Sequence, residues 1–191
     1  MKFGLMSGHC GSYECQRDGW KQFTFEDGFT VYEGIKNRHI KLRAMQLAEK
    51  EGLEVIDVNP LPNDYSLVER VQMIDSYVDE YGEDFRLIEI HNNASPGHNA
   101  SGFEVFSTKR NNKSDELAEI MLQEIENQFP QLRNRGHKES NWYIIDKMKS
   151  YGILVEFCFF DYRPDVDLVL SSAGIHKCAT SIINTIKQCE K

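Results

Sequence analysis

Short apolar runs alternate along the chain with longer stretches of helical period. KFGLMS at 2–7, LEVIDV at 53–58, FRLIEIH at 85–91, GFEVFS at 102–107 and GILVEFCF at 152–159 read as strands. Their near-continuous apolar character is that of strands covered on both faces. Residues 33–51 place Ile35, Ile40, Leu42, Met45, Leu47 and Ala48 mostly on one side, with Gly52 as C-cap. Ser66 and Glu69 have capping-box spacing ahead of Val71, Ile74 and Val78. Residues 113–128 predict a third helix, with Ser114 as N-cap and Asp115 and Glu116 where the helix dipole favours acids. Residues 174–188 predict a fourth. The alternation implies an α/β domain of three layers, a mostly parallel twisted sheet flanked by helices.

A long connection runs from Cys10 to Tyr32 and carries Tyr13, Trp20, Phe23, Phe25, Phe29 and Tyr32. Two readings stand: the aromatics wall a binding cleft, or they pack a small satellite core of their own. At 191 residues the chain suits one domain, spanning 1–191. The net charge of −8 excludes a nucleic-acid partner and an anionic membrane, both of which call for Lys and Arg. No run reaches the roughly 18 apolar residues of a membrane span. The opening MKFGLMSGHCGS is too short and interrupted for a signal peptide. The five cysteines, Cys10, Cys15, Cys158, Cys178 and Cys189, are odd in number with no C-x-x-C pair, which points to free thiols in a reducing compartment.

Ionisable groups punctuate three of the strands. KFGLMSGH ends at His9, RLIEIH ends at His91, and GILVEFCFF contains Glu156. Open α/β sheets collect their sites at the carboxyl ends of strands, so residues far apart in sequence converge there. A single strand-end histidine often only caps a backbone group; two in matched positions suggest ligands. A carboxylate flanked by Ile153, Leu154, Val155, Phe157 and Phe159 incurs a large desolvation cost unless it is paired, metal-linked or protonated. It is a functional candidate or a structural acid paired with an Arg.

The order of motifs resembles that of the type 3 family of zinc-dependent N-acetylmuramoyl-L-alanine amidases over nearly the whole chain. SGHCG at 7–11, Glu33 with Asn37, Leu67 with Arg70, EIHNN at 89–93, SGFEVF at 101–106, NRGHK at 134–138 and LVEFCFFDYRPDVDLVL at 154–170 occur in sequence. None is specific alone; their order and spacing are. The resemblance implies Zn2+ held by His9, Glu33 and His91, with Glu156 as the catalytic proton shuttle. Glu26 competes for the carboxylate position, but Glu33 leads into the helix and has Asn37 four residues on. Two departures from the family pattern stand out: Cys10 where Gly is usual, and Glu89 where a small residue is common. Cys10 as thiolate ligand is the minor reading, and Glu89 is either a structural ion pair or a group that orients a ligand. Asn93, Arg135 and Lys138 are candidates to bind substrate, the last two through stem-peptide carboxylates, although a basic loop is as often merely solvated. His98 and His137, in polar loops near motif residues, either contact substrate or simply face solvent, and the second is the expectation.

Two imidazoles and a carboxylate leave a fourth position on tetrahedral zinc for water, as catalytic sites require. The expected reaction is hydrolysis of the amide between N-acetylmuramic acid and L-alanine in peptidoglycan. The alternatives are a zinc peptidase acting within the stem peptide and a silent cell-wall-binding module of the same fold. No separate wall-binding domain is evident. The expected setting is a phage endolysin, synthesised in the cytoplasm and acting on the wall after release, or else a bacterial autolysin.

Overall fold

The computed structural model describes residues 1–15, 21–110 and 112–190, the side chains of Cys15 and Glu83 excepted. In chain order the elements are β1 (Lys2–Ser7), a 3-10 turn (Tyr13–Cys15), β2 (Gln22–Thr24), β3 (Thr30–Tyr32), α1 (Glu33–Glu51), β4 (Val55–Asp57), α2 (Leu67–Tyr81), a further 3-10 turn (Gly82–Asp84) and β5 (Phe85–Asn93). They continue as β6 (Phe103–Thr108), α3 (Asp115–Gln128), β7 (Asn134–Ser140), α4 (Tyr143–Lys147), β8 (Tyr151–Phe159), α5 (Arg163–Val169) and α6 (Ser172–Cys189). Six strands form one sheet in the order β4-β1-β5-β8-β6-β7, and β2 pairs with β3 in a separate hairpin. Four of the five ladders in the larger sheet are parallel; that between β6 and β8 is antiparallel. The expected mostly parallel sheet is therefore present, and KFGLMS lies inside it between β4 and β5.

Side chains two apart on a strand share a face, and this alternation divides the molecule into layers. Phe3, Leu5, Ile88, Ile90, Phe103, Val105, Ile153, Val155 and Phe157 point to one side, into a core shared with α1, α3 and α6. Met6, Phe85, Leu87, Phe106 and Leu154 point to the other, against Ile74 and Val78 of α2 and Ile144 and Ile145 of α4. The second face has a further property. Glu89 and His91 follow Leu87 in steps of two, Glu156 follows Leu154, and Glu104 precedes Phe106. The pleat that sends apolar residues into the smaller core thus sends four ionisable ones to that face as well.

The helix ends follow local chemistry. Gly52 adopts a left-handed φ of 71° and its N–H reaches the Ala48 and Glu49 carbonyls. Both reciprocal bonds of the Ser66–Glu69 capping box form. Ser114 corrects the expectation: it makes no cap bond, and its Oγ instead accepts from Gly152 N at 3.1 Å, tying α3 to β8. Ser171 caps α6, which begins before the predicted residue 174. On α1 the apolar face is not as read, for Leu42 is exposed and Lys41 is fully buried.

Within the long connection, β2 and β3 form a hairpin whose Phe23 and Phe25 pack on the larger core. Tyr13 meets Tyr32 edge-on at 5.2 Å. Trp20 lies outside the described residues. The cysteines also require a correction: Cys158, Cys178 and Cys189 are free, but Cys10 is disulfide-bonded, so the chain is not uniformly in the thiol form. No helix among the described residues is long and apolar enough to cross a membrane.

Lys41 links helix to sheet near the site. Its Nζ pairs with Asp57 and donates to the backbone oxygen and Oδ1 of Asn59 at 2.6 and 3.0 Å. The Asn59 side chain in turn brackets Ser7, accepting from its N–H at 3.1 Å and donating to its carbonyl at 2.9 Å. Burial lowers the Lys41 pKa, and Asp57 opposes that shift. Lys41→Ala leaves these acceptors without their cation and is expected to cost about 2–3 kcal/mol, read as a lower urea midpoint at unchanged slope.

Candidate metal centre

Past Ser7 the chain turns over the ends of β1 and β5, and the turn has no room for larger residues. A Cβ on Gly8 would lie 2.1 Å from the His91 ring, and one on Gly34 would lie 2.0 Å from the Cys10 carbonyl oxygen. His9 itself is held at a φ of 59°, in the left-handed region that few side chains adopt. The result brings His9 down beside His91, with ring centroids 4.8 Å apart and planes at 89°.

Glu33, the first residue of α1, lies between the two rings. Its Oε2 is 3.2 Å from His9 Nε2 and its Oε1 is 3.1 Å from His91 Nδ1. One donor atom from each of the three residues falls within 4.8 Å of the other two. Asn37, one turn along α1, donates to Glu33 Oε1 at 3.1 Å and to the Gly8 carbonyl at 3.2 Å. Its Oδ1 accepts from Asn92 Nδ2 at 2.7 Å, and Asn92 N–H donates to Glu33 Oε1 at 3.3 Å. The carboxylate is thus fixed from both the helix and the strand, and the positive end of α1 favours its charge. Two imidazoles and one oriented carboxylate form a donor set that suits a divalent cation of borderline softness.

Electrostatically these groups compensate one another. Burial acts to raise Glu33, but the two histidines outweigh it and hold the carboxyl far below its usual range. Burial acts to lower His91, and the bonds to Glu33 and Glu89 reverse this, pushing it up to about 10. His9 is shifted down by burial, with Glu33 opposing. Glu156 has no such compensation: burial raises it well above the carboxylate range, and the charges of Glu33, Glu104 and Glu89 add to the shift against His91. Its Oε2 is buried with no hydrogen-bond partner. All four residues line a cavity of about 940 Å³, whose walls include Tyr65, Leu67, Trp142 and Tyr143.

The sequence of residues 6–188 matches the family model described as N-acetylmuramoyl-L-alanine amidase. The chain belongs to that family. It is an amidase whose reaction is hydrolysis of the bond between N-acetylmuramic acid and L-alanine in peptidoglycan. Among curated proteins, none matches at the level of sequence. Solved structures share the fold. The catalytic domain of CwlV, an N-acetylmuramoyl-L-alanine amidase from Bacillus (Paenibacillus) polymyxa var. colistinus, matches with TM-score 0.81 and 18% identity over 100% of this chain and 98% of that one. Cwp6 from Clostridium difficile matches with TM-score 0.80 and 21% identity over 100% of this chain but 29% of its own, so the amidase spans under a third of Cwp6. The catalytic domain of the CD27L endolysin, which targets Clostridia difficile, matches with TM-score 0.71 and 24% identity over 98% and 97%.

Other candidates in the amidase fall in distinct places. Asn93, Arg135 and Lys138 converge on Glu104, which sequence reading passed over. Asn93 Nδ2 donates to Glu104 Oε1 at 2.7 Å, Arg135 Nε to Oε2 at 2.9 Å, and Lys138 Nζ also bonds Oε2. Asn93 lines the cavity; Arg135 and Lys138 are not among its lining residues. They sit on strand β7, which corrects the reading of NRGHK as a loop. Glu104 was detectable by the argument applied to Glu156, since GFEVF also embeds an acid in an apolar strand. Glu26 is exposed on the hairpin and does not line the cavity of His9, Glu33 and His91. Cys10, as a disulfide sulfur, is no thiolate ligand.

His98 is half-exposed, with Nδ1 at 2.8 Å from Asp161 Oδ2. His137 departs from the solvent-facing expectation: it is largely buried, with Nε2 at 2.7 Å from Ser107 Oγ. Among the described aromatics of the 10–32 connection, none lines the cavity of His9, Glu33 and His91; Phe23 and Phe25 pack partly on the larger core and line a separate pocket beside His98 and Asp161.

Two outcomes follow from this geometry. Gly8→Ala drives a methyl group into the His91 ring and is expected to abolish metal binding while circular dichroism stays native; full metal content would contradict it. In metal-free protein, His91 is raised from 6.5 to about 10, so its stabilisation is complete below pH 6.5 and is lost as pH rises through 10. The thermal midpoint is therefore expected to fall across that window, and His91→Gln to flatten the fall.

Proposed function

We propose that His9, Glu33 and His91 hold a zinc ion and that Glu156 moves the protons of amide hydrolysis, within a single catalytic domain spanning 1–191. The observation that carries the reading is one cavity holding a three-donor set together with a buried carboxyl group whose second oxygen has no partner. Zinc, when bound there, would polarise the scissile carbonyl and make water acidic enough to attack near neutral pH.

Glu156 Oε2 then accepts the proton of the attacking water and delivers it to the departing nitrogen of L-alanine. An apolar strand suits both roles, because desolvation brings the carboxyl towards the pH at which it works. Glu33 stays anionic throughout, fixed by Asn37 and the Asn92 N–H. Asn93 orients the substrate at the cavity wall. Arg135 and Lys138, shared with Glu104, meet carboxylates of the stem peptide at its edge. The cell wall is the place of action; synthesis in the cytoplasm, with access to the wall after release as in a phage lysin, is the setting we propose.

Glu156→Gln preserves shape and removes the proton shuttle. It is expected to retain zinc and native thermal unfolding while peptidoglycan hydrolysis falls by about 10²–10⁴-fold. Zinc-loaded Glu156→Gln with near-native hydrolysis would remove Glu156 from the mechanism.

A further inference from the structure

Glu89 stands two residues before His91 on β5, on the same face, and is 1% exposed. Its Oε1 lies 3.2 Å from His91 Nε2, while Nδ1 on the opposite edge of that ring faces Glu33 at 3.1 Å. The imidazole is thus flanked by two carboxylates, one on the side of the donor set and one behind it. Behind Glu89 is Arg70, whose Nη1 is 3.5 Å from Glu89 Oε1. Arg70 is itself fixed, with Nε donating to the Tyr65 carbonyl at 3.1 Å and Nη1 to the Ser7 carbonyl at 3.4 Å.

We propose that Glu89 is a positioning residue for the metal centre: it accepts the Nε2–H of His91, selects the tautomer that turns the Nδ1 lone pair towards the ion, and is held in place by Arg70. This rests on the reading of His91 as a metal ligand. A neutral imidazole carries one N–H and one lone pair, so fixing the proton at one nitrogen fixes the donor at the other. A carboxylate behind a ligating histidine also makes the ring more basic and locks its orientation. A desolvated acid at this point of the strand then has a role that a small residue does not fill. Arg70 supplies the counter-charge that lets Glu89 remain anionic inside the protein. The chain of contacts runs from α2 through Arg70 and Glu89 to His91, so the helix packed on this face of the sheet supports the site at its end.

The test measures zinc affinity by chelator competition and the His91 tautomer by ¹⁵N chemical shifts, in variants checked for native circular dichroism. Glu89→Ala is expected to weaken zinc by about 10–100-fold and to dissolve the single Nε2–H form. Glu89→Gln, which keeps an acceptor oxygen of the same reach, is expected to recover part of the affinity and most of the tautomer preference; it also serves if the alanine variant fails to fold. The double variant Arg70→Met/Glu89→Gln removes both charges. Wild-type zinc affinity in it would reduce Glu89 to a counterion for Arg70 and overturn the proposal, as would an unchanged affinity and tautomer in the single variants. His91→Ala separates the two levels: zinc binding that survives it refutes the ligand reading, whereas zinc lost in His91→Ala but unaffected at Glu89 refutes this inference alone.

Discussion

The carboxylate of Glu33, bonded on one oxygen to His9 and on the other to His91, joins the first turn of α1 to the ends of two neighbouring strands. No pair of these residues is close in sequence, and none of the three has a local reason to occupy its place. Their meeting depends on glycine at positions 8 and 34, on the left-handed backbone at His9, and on Asn37 and Asn92 holding Glu33 between them. Each of these restricts the chain, and the donor set is the feature that makes the restrictions intelligible together. Strain and close approach concentrate where function demands a fixed geometry.

The same region gathers four buried carboxylates on or beside one sheet face, and their environments separate them by role. Glu33 is balanced by the histidines, Glu89 by His91 and Arg70, and Glu104 by Arg135, Lys138 and Asn93. Glu156, opposite both His91 and Glu104 in the strand register, has none of these partners at its second oxygen. Glu89 Oε2 is likewise buried without a hydrogen-bond partner, but its Oε1 faces both His91 and Arg70; Glu156 is the acid of the four with no ion pair among the described residues, and it is the one available to a proton.

Much of this was legible in the amino-acid sequence because burial leaves a direct trace in the pattern. The five apolar runs are the strands β1, β4, β5, β6 and β8, and the Ser66–Glu69 spacing is the capping box of α2. What escaped has a physical reason in each case. β7 lies at the sheet edge with mostly partial burial, so NRGHKES carries no apolar signal. The β2 and β3 hairpin strands are three residues each, shorter than any periodicity can register. Lys41 occupies a core position because Asp57 and Asn59, distant in sequence, neutralise and bind it. The histidines and Glu156 were conspicuous from strand placement and from an acid in apolar surroundings. Glu33, by contrast, rests on an exposed-looking helix start, and only family resemblance selected it over Glu26. Glu104 is open to the same argument as Glu156, but its partners on β5 and β7, and the Glu89 that the packing of α2 on the sheet brings to Arg70, appear only in the fold.

The account is tested most directly by digesting purified peptidoglycan with chelator-treated protein, before and after zinc is restored, and weighing the released fragments by mass spectrometry. It predicts an inert chelated protein, activity that returns with zinc, and intact stem peptides bearing a free L-alanine amino group. Fragments cut inside the stem peptide, or release that chelation leaves untouched, would contradict it.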